Sequence, residues 1–260
     1  MAQILNVYAL PKFVTPEELE GGTVVVIDVL RASTTIVYAL EAGAREVVPC
    51  GEVGEARAIA AQLPPGEAVL GGERGGLKID GFDLGNSPTE YTPERVGGRT
   101  VVFTTTNGTQ AMLRCRKAGR VLIGAFVNAT AILEELASGE QVHLLCAGTR
   151  GEFSRDDILL AGLLVDWLQR RGGMNYLVNA QGVTARENWT SSFATPYVLG
   201  AEPLPAQLLA AELRKSPGGR NLTAVGLEAD ILTAAEIDRY SIVPELDVGD
   251  FRIRLARANR

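Results

Sequence analysis

The sequence predicts an α/β fold with a largely parallel sheet that is covered on both faces. Apolar strand-like runs alternate with stretches of helical periodicity over about the first 170 residues. The runs are continuously apolar, which is typical of strands buried on both faces. At 260 residues the chain is long enough for a sizeable core, and no low-complexity linker divides it. We therefore predict one domain over residues 1–260.

The predicted elements follow one another in order along the chain. Strands are predicted at 24–27, 46–48, 68–70, 100–103, 120–123 and 142–145. Helices are predicted at 34–42, 52–63, 109–118, 129–137 and 156–170. Residues 71–88 and 172–203 are predicted to be long loops. Further along, helices are expected near 205–215 and 216–237, the second interrupted by Gly218-Gly219, and then an extended segment or edge strand at 241–254.

Composition excludes several classes of protein. The net charge of -6 argues against a general nucleic-acid binder, which would need a basic stripe. The N-terminus lacks the pattern of a signal peptide, and no uncharged apolar run reaches the roughly 20 residues that span a bilayer. Three scattered cysteines suit a reducing compartment. We expect a cytoplasmic protein that binds neither nucleic acid nor membrane and that forms a homo-oligomer.

The chain contains a single histidine, His143, within an apolar run that predicts a strand. Zinc sites built on histidine, Ser-His-Asp triads and phosphohistidine enzymes need a histidine at a polar, reachable position. We interpret His143 as a strand residue. Catalysis must then depend on carboxylates, hydroxyls, arginines and a hard metal ion.

Several predicted strands end in a short polar turn that leads into a helix. These turns are 27–35, 104–109, 125–130 and 146–151. In a parallel sheet such turns lie on one edge, at the carboxyl ends of the strands, where open α/β sheets bind ligands. Residues 104–109 consist of three threonines, an Asn-Gly pair and a fourth threonine. A single helix cap requires fewer polar residues than these. We therefore expect these hydroxyls to line a pocket.

The residues at this edge suit a phosphate group and a magnesium ion. Backbone N–H groups and hydroxyls attract anions, and arginine binds oxyanions with two hydrogen bonds. The candidate donors are Arg31, Ser33, Thr34, Arg74, Thr105, Thr106, Asn107, Gly108 and Thr109. Magnesium prefers oxygen ligands together with substrate phosphate. Its candidate ligands are Asp28, Glu73, Asp156 and Asp157.

The well-known phosphate motifs do not match. The chain has neither a GxxxxGK[ST] loop nor a GxGxxG fingerprint after a strand. Leu30 stands where a haloacid-dehalogenase-type phosphatase would carry its second aspartate. Only three residues separate Cys146 from Arg150, too few for the phosphate loop of cysteine phosphatases. A packing role for Cys146 is the better interpretation.

Together these motifs resemble the 2-phosphosulfolactate phosphatase family. The similar segments run through nearly the whole chain: 26–36, 71–74, 81–88, 104–109, 146–149, 156–157, 228–230 with Asp238, and 243–244. The resemblance implies a three-layer α/β/α fold with a mixed, largely parallel sheet. It also implies an Mg²⁺-dependent phosphatase that converts (R)-2-phospho-3-sulfolactate and water to (R)-3-sulfolactate and phosphate, a step of coenzyme M biosynthesis.

A substrate with phosphate, carboxylate and sulfonate groups needs several separate anion contacts. Arg31, Arg74 and Arg150 are candidates for these contacts, and the motif at 81–88 adds Asn86 and Ser87. Asp28, Arg31 and Glu73 are the candidate catalytic residues. Three alternatives stay open: a phosphatase for another small phosphorylated 2-hydroxy acid, a small-anion binding protein without turnover, and a phosphoryl-enzyme route through Asp28 or Cys146.

Overall fold

The computed structural model describes residues 3–137, 139–170, 176–193 and 204–256, and the strands within them form one sheet. The strands are β1 (Gln3–Tyr8), β2 (Thr23–Ile27), β3 (Glu46–Pro49), β4 (Ala68–Arg74), β5 (Leu77–Lys78), β6 (Thr100–Thr104), β7 (Arg120–Gly124), β8 (Gln141–Cys146), β9 (Tyr176–Val178), β10 (Pro244–Asp247) and β11 (Arg252–Leu255). Their order across the sheet is β5-β4-β6-β3-β11-β10-β7-β2-β8-β1-β9.

The helices cover both faces of this sheet. They are α1 (Ala32–Glu41), α2 (Val53–Gln62), α3 (Pro93–Val96), α4 (Gly108–Arg114), α5 (Ala129–Leu136), α6 (Arg155–Arg170), α7 (Ala180–Ser192), α8 (Ala206–Leu213), α9 (Pro217–Ala224) and α10 (Ala229–Ala234). The predicted α/β/α class with a mixed, largely parallel sheet is confirmed. Within the described ranges, no helix is long and apolar enough to cross a bilayer.

The sheet consists of two parallel groups joined by a hairpin. Strands β7, β2, β8, β1 and β9 are parallel to one another, as are β3, β6 and β4. Between the groups lies the antiparallel hairpin β10–β11, in which Glu245 pairs with Leu122 of β7 and Ile253 with Val47 of β3. The three pairings β7–β10, β10–β11 and β11–β3 are all antiparallel, so each reverses the direction of the strand. The two groups therefore run in opposite directions.

The C-terminal hairpin corrects the expectation of an edge strand at 241–254. Both of its strands lie inside the sheet, where Leu246 and Ile253 are buried. Apolar side chains at these positions fit strands that carry neighbours on both sides and packing above them. Apolar and polar residues alternate in both strands, a pattern that a strand at the edge of a sheet also shows.

Alternate residues of β2 point to opposite layers, as the period of a strand requires. Val25 and Ile27 pack in the core that contains α6, whereas Val24 and Val26 pack in the core that contains α1 and α4. The second core also includes Val47 of β3 and further residues of β4 and β6. Residues of both parallel groups thus belong to the core that contains α1 and α4. At the start of α4, Gly108 lies against Asp28, which follows β2, so the turns after β2 and β6 are in contact.

Other elements depart from the sequence prediction. The pattern missed β1, although its alternate residues are buried against β8. The predicted loop 172–203 contains β9 and α7, and its residues 172–175 and 194–203 lie outside the described ones. The predicted helix 216–237 is two helices, α9 and α10, which meet near Gly226, a residue with a φ of 77°. The left-handed conformation at Gly226 ends α9.

Candidate active site

A cavity of about 340 Å³ lies at the carboxyl ends of β2, β6 and β8. The turns after these strands form its walls together with the β4–β5 hairpin and the first residues of α9. Of the residues predicted from sequence, the cavity is lined by Asp28, Arg31, Glu73, Asn86, Thr105, Thr106, Asn107 and Arg150. The polar turns after β2, β6 and β8 therefore lie around one cavity, as predicted, although β6 belongs to the parallel group that runs in the opposite direction. Its turn reaches the site, where Gly108 at the start of α4 lies against Asp28.

Asp28 follows the last residue of β2 and is only 5% exposed. The N–H of Ala32 donates to Asp28 Oδ1 over 3.2 Å, and the Asp28 N–H donates to the hydroxyl of Ser33 over 3.0 Å. Burial raises the pKa of Asp28 to about 7, against the opposing effect of the Ala32 hydrogen bond, and the negative charges of Asp156 and Glu73 add to the rise. A carboxylate here needs a cation or a proton close by.

Glu73, in β4, ties the hairpin to the turn after β6. Its Oε1 accepts the N–H of Thr106 over 2.8 Å, and its Oε2 accepts the N–H of Gly76 over 2.7 Å. The carboxylate is buried, with 7% exposure, and it lines the cavity. Each oxygen has further acceptor capacity after these bonds. Glu73 therefore shapes two walls and still presents oxygen to a ligand.

Arg31 has a buried guanidinium held between two segments. Nη1 donates to Asp230 Oδ2 over 2.7 Å, and Nη2 donates to the carbonyl oxygen of Gly76 over 2.7 Å. The hydroxyl of Ser87 donates to the other Asp230 oxygen over 2.6 Å. Asp230 thus neutralises the charge of Arg31 while Arg31 faces the cavity.

Asp156 and Asp157 open α6 behind the cavity and do not line it. Asp157 accepts the N–H groups of Val29 and Gly148, each over 2.9 Å. Asp156 accepts the N–H of Leu30 over 3.1 Å, together with a short hydrogen bond from the Ser154 hydroxyl. Burial raises the pKa of both carboxyl groups. Their oxygens hold the turn that carries Asp28, and direct ligation of a metal by them stays a prediction.

Two buried polar atoms at the cavity have no hydrogen-bond partner in the described part of the chain. They are Asn86 Oδ1 and Thr105 Oγ1, on residues that are 4% and 3% exposed. An unpaired buried oxygen is costly, and natural proteins seldom leave one without a partner such as water, an ion or a ligand. The neighbouring Thr109 differs, because its hydroxyl donates to the carbonyl oxygen of Thr105 over 2.9 Å. Asn86 and Thr105 therefore point to a bound group.

The mouth of the cavity is formed by Asn107 and Arg150. The N–H of Arg150 donates to Asn107 Oδ1 over 3.0 Å, which joins the turns after β6 and β8. Arg150 is exposed, and no ion pair of its guanidinium is found within the described ranges. It is the cation best placed to meet an anionic group that enters from solvent.

Four predicted substrate-binding side chains make hydrogen bonds to the protein and do not line the cavity: Ser33 to the Val26 carbonyl, Thr34 to the Val29 carbonyl, Arg74 to Thr104 Oγ1 and the Glu73 carbonyl, and Ser87 to Asp230. These bonds shape the backbone of the walls. Gly108 likewise stands beside Asp28 outside the lining. Substrate contact by these residues stays a prediction.

Sequence reasoning missed two parts of the site. Asp230, on α10, was seen in a motif but not assigned to the site, and Pro217 with Gly218 brings the start of α9 to the cavity wall. A local signal existed for α9, because Ser216 before a proline is typical of a helix start, and its hydroxyl indeed accepts the N–H of Gly219 over 2.9 Å. No local signal places Asp230 beside Arg31, which is 199 residues away.

The thiol and histidine alternatives can be judged from burial. Cys146 is buried outside the cavity lining, and burial raises the pKa of its thiol well above the usual range. A nucleophilic thiolate needs the opposite environment. His143 is buried in β8, as predicted, and stacks on Tyr8. Neither residue belongs to the candidate active site.

Comparisons with known proteins identify the family of this chain. The family model described as 2-phosphosulpholactate phosphatase matches residues 8–249. A protein of Caldanaerobacter subterraneus subsp. tengcongensis named "Probable 2-phosphosulfolactate phosphatase" is 36% identical over 249 residues, which cover 95% of this chain and 97% of that relative. A relative of the same name from Symbiobacterium thermophilum is 40% identical over 90% of this chain and 94% of its own.

A third relative, from Deinococcus radiodurans and of the same name, is 37% identical over 90% of this chain and 92% of its own. These matches extend over nearly the whole length of this chain and of each relative, so the aligned region includes every wall of the cavity. The family model itself spans the turns after β2, β6 and β8 and reaches Asp230. The resemblance seen in the sequence motifs is confirmed, and the chain belongs to the 2-phosphosulfolactate phosphatase family.

Proposed function

We propose that this phosphatase hydrolyses (R)-2-phospho-3-sulfolactate to (R)-3-sulfolactate and phosphate and that it requires Mg²⁺. The names of the relatives support the substrate. The observation that carries the proposal is the excess of negative charge in a cavity that must accept an anion. Asp28, Glu73 and Glu152 line it. Among the described residues of the lining, Arg31 is already neutralised by Asp230, and Arg150 is the other cation.

The oxygen atoms at the cavity fit a magnesium ion. Magnesium is usually held by one or two carboxylates together with waters and substrate phosphate. Asp28 and Glu73 supply the carboxylates, and the unpaired Asn86 Oδ1 and Thr105 Oγ1 supply neutral oxygen atoms at the same cavity. No cluster of three or more His, Cys, Asp or Glu side chains suited to a metal is found among the described residues. A site with two carboxylates is consistent with both facts.

When bound, such an ion offsets the charge on the phosphoryl oxygens and polarises the phosphorus towards attack. Asp28 and Glu73 are the carboxylates that would hold it, and Asn86 Oδ1 and Thr105 Oγ1 could add neutral oxygen ligands. In the reaction the oxygen of water bonds to phosphorus and gives up a proton, the bond from phosphorus to the C2 oxygen breaks, and the C2 oxygen takes up one proton in turn.

The remaining residues orient the substrate. The Thr106 and Asn107 turn and the N–H donors of Arg31 face the phosphoryl group, and Arg150 at the mouth is free to bind the carboxylate or the sulfonate. Donors that are fixed by the protein before the substrate arrives stabilise the transition state without reorganising. The fixed bonds of Glu73 and Asp156 keep these walls in place.

The test is phosphate release from 2-phosphosulfolactate by the metal-free protein, before and after Mg²⁺ is returned. We expect activity only with Mg²⁺, and Asp28→Asn should lose at least about 10²-fold in kcat. The exposed Glu94→Gln variant is the matched control and should behave like the wild type. Full activity in excess EDTA would contradict the metal requirement.

A panel of small phosphorylated 2-hydroxy acids decides the substrate. Faster turnover of a panel member that lacks the sulfonate would replace the proposed substrate by that acid. Calorimetry with the same panel separates the remaining alternative. Tight binding without release of phosphate from any panel member would indicate a small-anion binding protein instead of an enzyme.

A further inference from the structure

The ion pair between Arg31 and Asp230 is among the most deeply buried charge pairs of the described chain, with side chains 3% and 4% exposed. Removing two charges from water is costly, and in general an apolar pair of similar volume packs as well or better. Stability alone is therefore a weak explanation for this pair. Its position at the wall of the cavity suggests an explanation in the geometry of Arg31.

The guanidinium plane is fixed at two points. Nη1 donates to Asp230 Oδ2 and Nη2 to the Gly76 carbonyl oxygen, both over 2.7 Å. Asp230 is itself held, because Ser87 donates to its Oδ1 over 2.6 Å. Because the guanidinium is planar, hydrogen bonds from both Nη1 and Nη2 hold the whole group in one orientation. The N–H groups that these bonds do not use are directed by that orientation.

The pair also brings together segments that are distant in the chain. Arg31 precedes α1, Ser87 follows the β4–β5 hairpin, and Asp230 lies on α10. Their separations are 199 residues for Arg31 and Asp230 and 143 for Ser87 and Asp230. With Asp230 ionised, Arg31 adds little net charge to the cavity. It acts there through the direction of its N–H groups.

We infer that Asp230, supported by Ser87, is a positioning residue that aims the Arg31 guanidinium at the phosphate group in the cavity. The inference rests on the proposed function for the identity of the bound group. It assigns no contact between Asp230 and the substrate. It predicts that Asp230 affects phosphate binding only through Arg31.

Charge and geometry make opposite predictions for Asp230→Asn. The substitution removes a negative charge near the site, so a purely electrostatic role predicts tighter binding of phosphate. A positioning role predicts weaker binding, by about tenfold, because a charge-assisted bond loses its alignment. The sign of the change distinguishes the two roles.

The experiment measures the affinity for inorganic phosphate by calorimetry, in the presence of Mg²⁺, for the wild type, Asp230→Asn, Arg31→Met and the double variant. Glu228→Gln is the matched control, since Glu228 precedes α10 and forms an exposed ion pair with Arg214. We expect Asp230→Asn to weaken binding, Glu228→Gln to leave it unchanged, and Asp230→Asn to have no further effect once Arg31 is replaced.

Unchanged or tighter binding by folded Asp230→Asn would overturn the inference. So would an equal loss in the Arg31→Met background, because Asp230 would then act by another route. If Asp230→Asn does not fold, Ser87→Ala loosens Asp230 without a change of charge. Weaker phosphate binding by Ser87→Ala would then support the inference, and unchanged binding would overturn it. Binding of phosphate by the wild type without turnover of 2-phosphosulfolactate would refute the proposed function and leave this test intact.

Discussion

Gly108 lies directly against Asp28, so that a Cβ atom on Gly108 would be 2.8 Å from Asp28 Oδ2 and 2.7 Å from the Cβ of Ala32. This contact joins the turn after β6 to the turn after β2. The two strands belong to groups that run in opposite directions, and residues of both groups pack in the core that contains α1 and α4. A side chain at position 108 would separate the two main walls of the site.

Gly108→Ala should therefore lower both the melting temperature and the activity. Contacts below about 3 Å force the neighbouring atoms to move, and overpacking typically costs about 1–3 kcal/mol. Gly54→Ala is the matched control, since position 54 lies in α2 with open space around it, and there alanine should be neutral or stabilising. Thermal melting and phosphate release check both variants. Wild-type behaviour of Gly108→Ala would contradict the close approach of the turns.

Thr105 and Thr109 should differ in role: we expect the Thr105 hydroxyl to bind the ligand and the Thr109 hydroxyl to stabilise the fold. Thr105→Val removes an oxygen that has no protein partner, so the melting temperature should stay the same or rise while kcat/KM falls by about 10². Thr109→Val removes the donor to the Thr105 carbonyl, which should cost about 1 kcal/mol of stability. Melting curves and steady-state kinetics of the two variants provide the check. A lower melting temperature with intact activity for Thr105→Val would make it a structural residue.

Arg150→Met should change the choice of substrate without changing stability. Arg150 is exposed at the mouth of the cavity, so its loss should weaken kcat/KM for 2-phosphosulfolactate about tenfold, mainly through KM. A simple aryl phosphate lacks the second acidic group and should be unaffected. Arg220→Met, on the surface nearby, is the control. Equal losses for both substrates would mean that Arg150 serves the phosphoryl group.

The burial of His143 leads to a prediction of how the stability of the protein depends on pH. Burial lowers the pKa of His143 below the usual value, the negative charge of Glu18 opposes this only in part, and Tyr8 stacks on the ring. The unfolded chain therefore binds a proton more readily than the folded one, and stability is lost as pH falls below about 6.5. His143→Leu should reduce the difference in melting temperature between pH 8 and pH 5. An undiminished difference would assign the acid sensitivity to other groups.

The sequence predicted the fold class and the polar turns because both depend on local pattern. Apolar runs between helical stretches identify buried strands, and hydroxyls at 104–109 exceed the needs of a cap. Asp28, Glu73 and Thr105 were found in this way, and all three line one cavity. The motifs also identified the family, since their order along the chain is retained.

The tertiary structure determined strand directions and residue contacts that a local sequence pattern cannot predict. The hairpin β10–β11 reverses one half of the sheet, and the packing of the folded chain nevertheless brings the turn after β6 to Asp28. Asp156 and Asp157 were grouped with the other acids by chemistry, yet their oxygens accept N–H groups behind the cavity. The partner of Arg31 lies on α10. Sequence thus determined which chemical groups the protein carries, whereas long-range packing determined which of them face the ligand, because direction and distance between remote segments exist only in the folded chain.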